Sequence, residues 1–135
     1  MKTEIEIRAE AAEATRLKFI DRPFEWGKVD CIKMARFHAL RMGHKPPRLP
    51  RYTSAVGAVR QIKKMGHNSI EEIFDTMFPP IGLASARLGD FVIAEGEAGV
   101  DAVFIWLGRK MMGFHEEAEG LVVVIPETIK KAYRV

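Results

Sequence analysis

The chain has 135 residues, of which 47% are hydrophobic and 29% charged, and its formal net charge is +3. This length suits one domain with a core of its own, so we predict a single domain over residues 1–135. The composition excludes a disordered, fibrous or multidomain protein.

Four helices are predicted in the first half of the chain: residues 3–19, residues 30–42, residues 54–65 and a segment that begins at Ser69. Asp30 is a suitable N-cap for the second helix, and Gly43 is a suitable residue to end it. Ser69 and Glu72 have the spacing of a capping box. Two consecutive prolines at positions 79 and 80 end the helical half.

The second half of the chain is predicted to form strands. The runs "DFVIAEG", "DAVFIWLG", "KMMGFH" and "GLVVVIP" are rich in β-branched or aromatic residues and are separated by turns that contain glycine. They predict an antiparallel meander. The closing segment "PETIKKAYRV" fits either a short helix opened by Pro126 or a final edge strand. Helices followed by strands predict an α+β domain with the helices on one face of the sheet.

Several kinds of site are not expected from this sequence. A single cysteine cannot form an intramolecular disulfide, and no Cys/His spacing indicates a structural metal site. Glycine-rich phosphate loops and Gly-x-Ser-x-Gly or His-Glu-x-x-His motifs are missing, so no cofactor is expected. Apolar runs fall short of the roughly 20 residues of a membrane span, and no signal-peptide pattern is visible. We therefore expect synthesis in the cytosol and no contact with a membrane.

The basic character of the chain, with a pI of about 9.1, raises the question of nucleic-acid binding. The densest basic run, "RMGHKPPRLPR" from Arg41 to Arg51, contains three prolines. It predicts a rigid loop rather than a helix that reads a groove. Binding to nucleic acid is therefore not expected.

Cys31 is the first candidate for chemistry, because "PFEWGKVDC" places it in the first turn of the second predicted helix. A helix N-terminus lowers the pKa of a thiol, and the reactive form of cysteine is the thiolate. Lys28 and Lys33 would lower this pKa further, whereas Asp30 would raise it if its carboxylate faced the sulfur. The alternative is that Cys31 packs as a small apolar residue, as most free cysteines do.

Four stretches of the chain match segments of a known family in the same order. They are "PFEWG" followed by "DC", then "LPRYTS", "LGDFVIA" and "AVFIWLG". They resemble the Pro-Tyr-x-Trp-Gly to Asp-Cys, Leu-Pro-Arg-x-Ser, Gly-Asp-Leu-Val and His-Val-Gly-Ile-Tyr-Ile-Gly segments of NlpC-type papain-like cysteine peptidases. The "GL" near Gly120 and the closing "AYRV" are similar to small phage and prophage proteins encoded among tail genes. The resemblance implies a papain-like fold, in which helices carrying the cysteine precede a sheet carrying a histidine.

The sequence departs from this family at two functional positions. The general-base histidine of the family falls on Ala102, whose methyl group cannot accept a proton. The tyrosine near the oxyanion site falls on Phe24, which has no hydroxyl to donate. A groove beside the cysteine is still predicted, although aromatic residues next to a helix start more often belong to the core. The predicted groove residues are Phe24, Trp26, Asp30 and Ala102.

His115 is a second candidate for the base, because "GFH" resembles the family segment whose polar residue orients the histidine. If residues 108–109 form a two-residue hairpin, Leu107 faces Lys110. The same register places Ala102 opposite His115 on one face of the sheet.

The resulting hypothesis is a relocated catalytic dyad of Cys31 and His115. Asp101 or Glu116 would then orient the imidazole. The alternative is that His115 is an orienting residue left in place after the base was lost, and a slip of one residue would turn it to the other face.

Two functions follow from the resemblance, and the substitutions at Ala102 and Phe24 favour the first. In the first, the domain is a degenerate, non-catalytic binding or assembly module associated with a phage or prophage tail, with tail proteins as partners. In the second, it is an active cysteine peptidase or amidase that acts on cell-wall peptides of peptidoglycan. A third interpretation is that the motif matches are accidental and the chain is an unrelated α+β protein.

Overall fold

The computed structural model describes residues 1–96, 99–114, 120–125 and 128–135. The helices are α1 (Glu4–Phe19), α2 (Cys31–Arg41), α3 (Ala55–Lys64) and α4 (Ile70–Met77), and a short 3-10 helix covers Leu83–Ser85. The strands are β1 (Pro80–Ile81), β2 (Phe91–Ala94), β3 (Ala102–Trp106), β4 (Met111–Phe114), β5 (Leu121–Val124) and β6 (Lys131–Tyr133). Helices thus fill the N-terminal half and an antiparallel sheet the C-terminal half, which confirms the α+β class.

Each of the four α-helices is preceded by a residue whose side chain accepts a hydrogen bond from a main-chain N–H of the first turn. Asp30 accepts from Lys33 at 2.8 Å and Ser69 accepts from Glu72 at 3.2 Å, so both predicted caps are confirmed. Gly43 follows α2 with a φ of +93°, which confirms that it ends this helix. The remaining N-caps are Thr3 and Ser54. A cap of this kind contributes about 1 kcal/mol.

The sheet has the strand order β1-β6-β2-β3-β4-β5, and all neighbouring strands are antiparallel. Strands β2 to β5 form the predicted meander. The closing segment is a strand, but β6 lies between β1 and β2 rather than at an edge. The edge on that side is β1, a two-residue strand that the sequence did not predict, because Pro80 and Ile81 carry no strand pattern. Proline is tolerated there because an edge strand leaves some N–H positions unpaired.

The hairpin between β3 and β4 has the predicted register. Leu107 donates its N–H to the main-chain oxygen of Lys110 at 2.8 Å, and Trp106 faces Met111 across the two strands. The continuation of this register to Ala102 and His115 lies outside the described residues.

Apolar side chains cover both faces of the sheet. The helices pack on one face, where residues such as Phe91, Val103 and Ile105 contact Met34 of α2 and Phe74 of α4 in one buried cluster. A smaller buried cluster lies on the other face and consists of Val92, Phe104, Trp106, Met111 and Ala132. Trp106 is 8% exposed.

A buried arginine on α1 ties that helix to the sheet. The guanidinium of Arg8 donates to Asp90 Oδ1 at 2.9 Å, to the main-chain oxygen of Leu88 at 3.0 Å and to that of Val135 at 2.6 Å. Asp90 also accepts from Arg134 Nε at 3.0 Å. This network joins α1 to the segment before β2 and to the segment after β6.

His38 on α2 is completely buried, and its Nε2 lies 2.7 Å from the main-chain oxygen of Gly89. Because a carbonyl oxygen only accepts, Nε2 carries the proton. Burial lowers the pKa of His38, although the Gly89 carbonyl acts in the opposite direction. The groups around the ring include the Thr15 hydroxyl and the charged side chains of Arg8 and Asp90.

We expect His38 to make stability depend on pH near neutrality. Its pKa in the folded protein is below the unfolded value of about 6.5, so the unfolded chain binds the proton more tightly. Stability is therefore fully present above about pH 6.5 and falls as the pH decreases. Urea unfolding between about pH 5.5 and pH 7.5 measures this slope. His38→Gln keeps an N–H donor and should flatten the slope, whereas His67→Gln should leave it intact; equal slopes in all three proteins would contradict the assignment.

Candidate functional site

A cleft of about 480 Å³ lies beside the start of α2. It is bordered by the segment before α2, by the beginning of β3 and by residues that follow β2 and β5. Most of the candidate residues line it, namely Phe24, Trp26, Cys31, Asp101 and Ala102. Asp30 is not on its wall, and His115 and Glu116 lie outside the part of the chain that the structure describes. The cleft therefore brings Cys31 together with three of the four predicted groove residues, Phe24, Trp26 and Ala102.

Cys31 is buried, with 8% of its surface exposed, and its Sγ lies 3.7 Å from the main-chain oxygen of Asp101. The thiol donates to this carbonyl. Burial raises the pKa of Cys31 to about 12, and the negative charge of Asp30 acts in the same direction. The sequence left two interpretations of Cys31 open, a thiol with a lowered pKa at a helix N-terminus and a small apolar packing residue. In the structure the loss of hydration outweighs the effect of the helix N-terminus on the pKa. At neutral pH the sulfur is a protonated thiol.

Asp30 holds the start of α2 from behind the cleft. Its side chain is fully buried. Oδ1 accepts from the Lys33 N–H at 2.8 Å, while Oδ2 accepts from the Gly27 N–H at 2.7 Å and from the Tyr52 hydroxyl at 2.8 Å. The pKa of Tyr52 is raised by burial and by Asp30, so its hydroxyl keeps the proton that it donates. Sequence reasoning missed Tyr52, whose only signal was its place in "LPRYTS".

The turn before α2 is pressed against the main chain of Tyr52. Gly27 has a φ of +86°, and a Cβ on it would lie 2.0 Å from the Tyr52 main-chain oxygen. Only glycine fits there without moving the backbone. This contact fixes the position of the neighbouring aromatic residues at the cleft.

Phe24 and Trp26 form an aromatic wall of the cleft. Their ring centroids are 5.0 Å apart in an edge-to-face arrangement, and Phe24 makes a similar contact with Phe114 at 6.0 Å. Both are half-buried and pack against the main core cluster. The two interpretations made from the sequence, groove and core, therefore both apply to these side chains.

Asp101 presents its main chain, rather than its carboxylate, to Cys31. Oδ2 accepts from the Glu71 N–H at the start of α4, at 3.1 Å, and Oδ1 accepts from Lys130 Nζ at 3.2 Å. These contacts hold β3 against α4. Both oxygens of the carboxylate therefore accept hydrogen bonds from groups other than an imidazole, although Asp101 was one of the two residues predicted to orient His115.

Ala102 occupies the first position of β3, opposite Ala94 of β2. It packs against the cluster that contains Phe104 and Trp106. The position that carries the base in the resembling family thus supplies only a methyl group to the cleft.

Within residues 1–96, 99–114, 120–125 and 128–135, no group of three or more His, Cys, Asp or Glu side chains could hold a metal ion. None of the helices in those ranges is long and apolar enough to cross a bilayer.

The fold and the cleft define a small α+β domain in which a buried cysteine at a helix N-terminus adjoins an aromatic cleft. The family model described as "Domain of unknown function (DUF6950)" matches residues 5–135, and the chain belongs to this family. No curated protein matches the chain at a significant level.

Proposed function

We propose that this domain is an NlpC-like, papain-like module that binds a partner without cleaving it, in association with a phage or prophage tail. The observation that carries the proposal is the state of Cys31: the thiol is buried and donates to a main-chain carbonyl. A nucleophilic cysteine needs a base to take its proton, and a carbonyl oxygen cannot do this. The absence of an imidazole at Ala102 and of a hydroxyl at Phe24 supports the same conclusion.

The cleft suits an extended peptide as the bound partner. Aromatic side chains such as Phe24, Trp26 and Phe104 offer apolar contact area, while Glu95 and Thr128 add polar groups to the same wall. A segment of a tail protein or a cell-wall peptide has this mixed character. Assembly into a tail would follow synthesis in the cytosol.

The alternative is an active peptidase or amidase that uses Cys31 and His115. The described pairs of β3 and β4, Ile105 with Met112 and Trp106 with Met111, have the register on which this alternative was based. In that enzyme the imidazole would take the proton of the thiol, and the sulfur would attack the acyl carbon of a cell-wall peptide. The C–N bond would break as the imidazolium gives its proton to the leaving amine, and water would then hydrolyse the thioester to regenerate the thiol.

The deciding experiment is the pH dependence of Cys31 alkylation in the parent protein and in His115→Ala. We expect slow reaction at neutral pH in both folded proteins, because the thiol has a pKa of about 12 and is buried. The urea-unfolded chain, as a control, should react with the ordinary cysteine pKa of about 8.5. A folded thiol that titrates well below that value, and loses this shift in His115→Ala, would replace the binding proposal with the dyad.

A binding assay with purified peptidoglycan separates the same two functions. If the cleft only binds, Cys31→Ala should sediment with peptidoglycan as the parent does, and neither protein should release peptides. Release of peptides by the parent, abolished in Cys31→Ala, would establish hydrolysis.

A further inference from the structure

The positive charge of this protein is concentrated in one segment. Residues 31–70 contain nine of the 21 lysines and arginines and none of the 18 aspartates and glutamates. None of these nine forms an ion pair within the described part of the chain. Seven of them are exposed, namely Arg41, Lys45, Arg48, Arg51, Arg60, Lys63 and Lys64. This segment covers α2, α3 and the loop between them, and we call it the basic surface.

An apolar cavity of about 60 Å³ lies between the basic surface, α4 and the sheet, and none of its lining residues lines the cleft. Its walls come from α2, α3, α4 and the proline-containing loop, and they are mostly aliphatic. The side chains of Lys33 and Arg36 also line it, beside Pro46, Pro47 and Met65. The loop that the sequence singled out as its densest basic run therefore forms part of the cavity wall.

The guanidinium of Arg36 has one N–H donor without a hydrogen-bond acceptor in the described part of the chain. Its Nε is buried and has no hydrogen-bond partner among the described residues. A buried donor without a partner is unfavourable, so an acceptor supplied from outside would stabilise it. A carboxylate fits best, because the guanidinium fork matches its two oxygens.

We propose that the cavity and the basic surface form a docking site for an acidic segment of a partner protein. One aliphatic side chain of the segment enters the cavity, and a neighbouring carboxylate contacts Arg36 and Lys33. The cavity is less than half of the roughly 150 Å³ that holds a benzene molecule, so it admits the end of one side chain and not an acyl chain. A nucleic acid would satisfy the positive charge but has no aliphatic side chain of the size of leucine to enter the cavity.

The test is an NMR titration of the ¹⁵N-labelled protein with a short peptide of glutamate and glycine that contains one central leucine. We expect shifts at residues of the cavity wall, such as Arg36, Ile62 and Met65, and weaker binding as salt is added. A peptide with serine in place of leucine should bind about tenfold more weakly, because it leaves the cavity empty. A charge-reversed lysine peptide should not bind.

Matched variants localise the charge effect. The double variant Lys33→Gln, Arg36→Gln should bind the leucine peptide about tenfold more weakly than the parent. The double variant Arg109→Gln, Lys110→Gln removes the same charge from the exposed β3–β4 turn and should bind like the parent. No shifts are expected at residues of the cleft wall, such as Trp26 and Ala102, so the result is independent of the cleft and of its proposed function.

Four outcomes would overturn the proposal: no binding of the leucine peptide, equal binding of the serine peptide, equal weakening in the two double variants, or tighter binding of single-stranded DNA. The last would identify the basic surface as a nucleic-acid site.

Discussion

Asp90→Ala is expected to lower the free energy of unfolding by about 3–5 kcal/mol, because it removes the only buried carboxylate that the described structure pairs with Arg8 and leaves that cation with the exposed Glu4 alone. Asp90 is completely buried and accepts from Arg8 at 2.9 Å and from Arg134 at 3.0 Å. It also accepts from the main-chain N–H groups of Arg87 at 2.8 Å and Val135 at 3.0 Å. The guanidinium of Arg8 is almost as deeply buried and cannot turn to solvent. Urea denaturation, followed by circular dichroism, measures the loss.

Two further variants test whether burial is the cause. Asp90→Asn keeps the size of the side chain and one acceptor oxygen, so its loss should be smaller than that of Asp90→Ala. Glu13→Ala removes a carboxylate from the exposed pair with Arg16 and should produce no measurable change. If Asp90→Ala behaves like Glu13→Ala, the network does not hold α1 to the sheet.

Asp30→Ala is expected to destabilise the protein by about 2–4 kcal/mol, since one side chain satisfies three donors. The substitution removes the cap of α2 and leaves the Gly27 N–H and the Tyr52 hydroxyl without their acceptor. It should also speed the alkylation of Cys31 under native conditions, because the first turn of α2 loses its anchor. The first effect is read by urea denaturation and the second by the rate of thiol labelling.

Ser54→Ala is the matched control, because Ser54 caps α3 at the surface and, among the described residues, accepts only from the Gly57 N–H. Its loss should be about 1 kcal/mol, with no effect on Cys31. Asp30→Ser keeps a capping oxygen but not the hydrogen bonds to Gly27 and Tyr52. Its loss of stability should therefore lie between those of Asp30→Ala and Ser54→Ala. An Asp30→Ala variant no less stable than Ser54→Ala would show that only the cap matters.

The parts of the fold that the sequence predicted are those with local signals. Caps at Asp30 and Ser69, the helix stop at Gly43 and the β3–β4 hairpin each depend on residues a few positions apart. The placement of β6 between β1 and β2, and the contact of Arg8 with Asp90, depend on segments far apart in the chain. No local pattern encodes such pairings, so they had to be seen in three dimensions.

The candidate site was predicted in outline, since the family resemblance selected Phe24, Trp26, Cys31 and Ala102, and these residues line one cleft. The raised pKa of the Cys31 thiol was not predicted. A helix N-terminus can be read from the sequence, but the depth of burial that raises the pKa of the thiol cannot. The apolar cavity was not predicted either, because it forms between helices whose packing no local sequence pattern indicates.

The interior position of β6 has a consequence for folding during synthesis. In the described sheet β1 pairs only with β6, and β6 also covers one side of β2. Until residues 131–133 leave the ribosome, β2 has an open edge and Phe91 lacks its cross-strand neighbour Tyr133. An incomplete chain therefore carries an unpaired strand edge, which favours association between nascent chains and recruits chaperones. Closure of the sheet must wait for the last strand, and this late, long-range step is expected to set the folding rate.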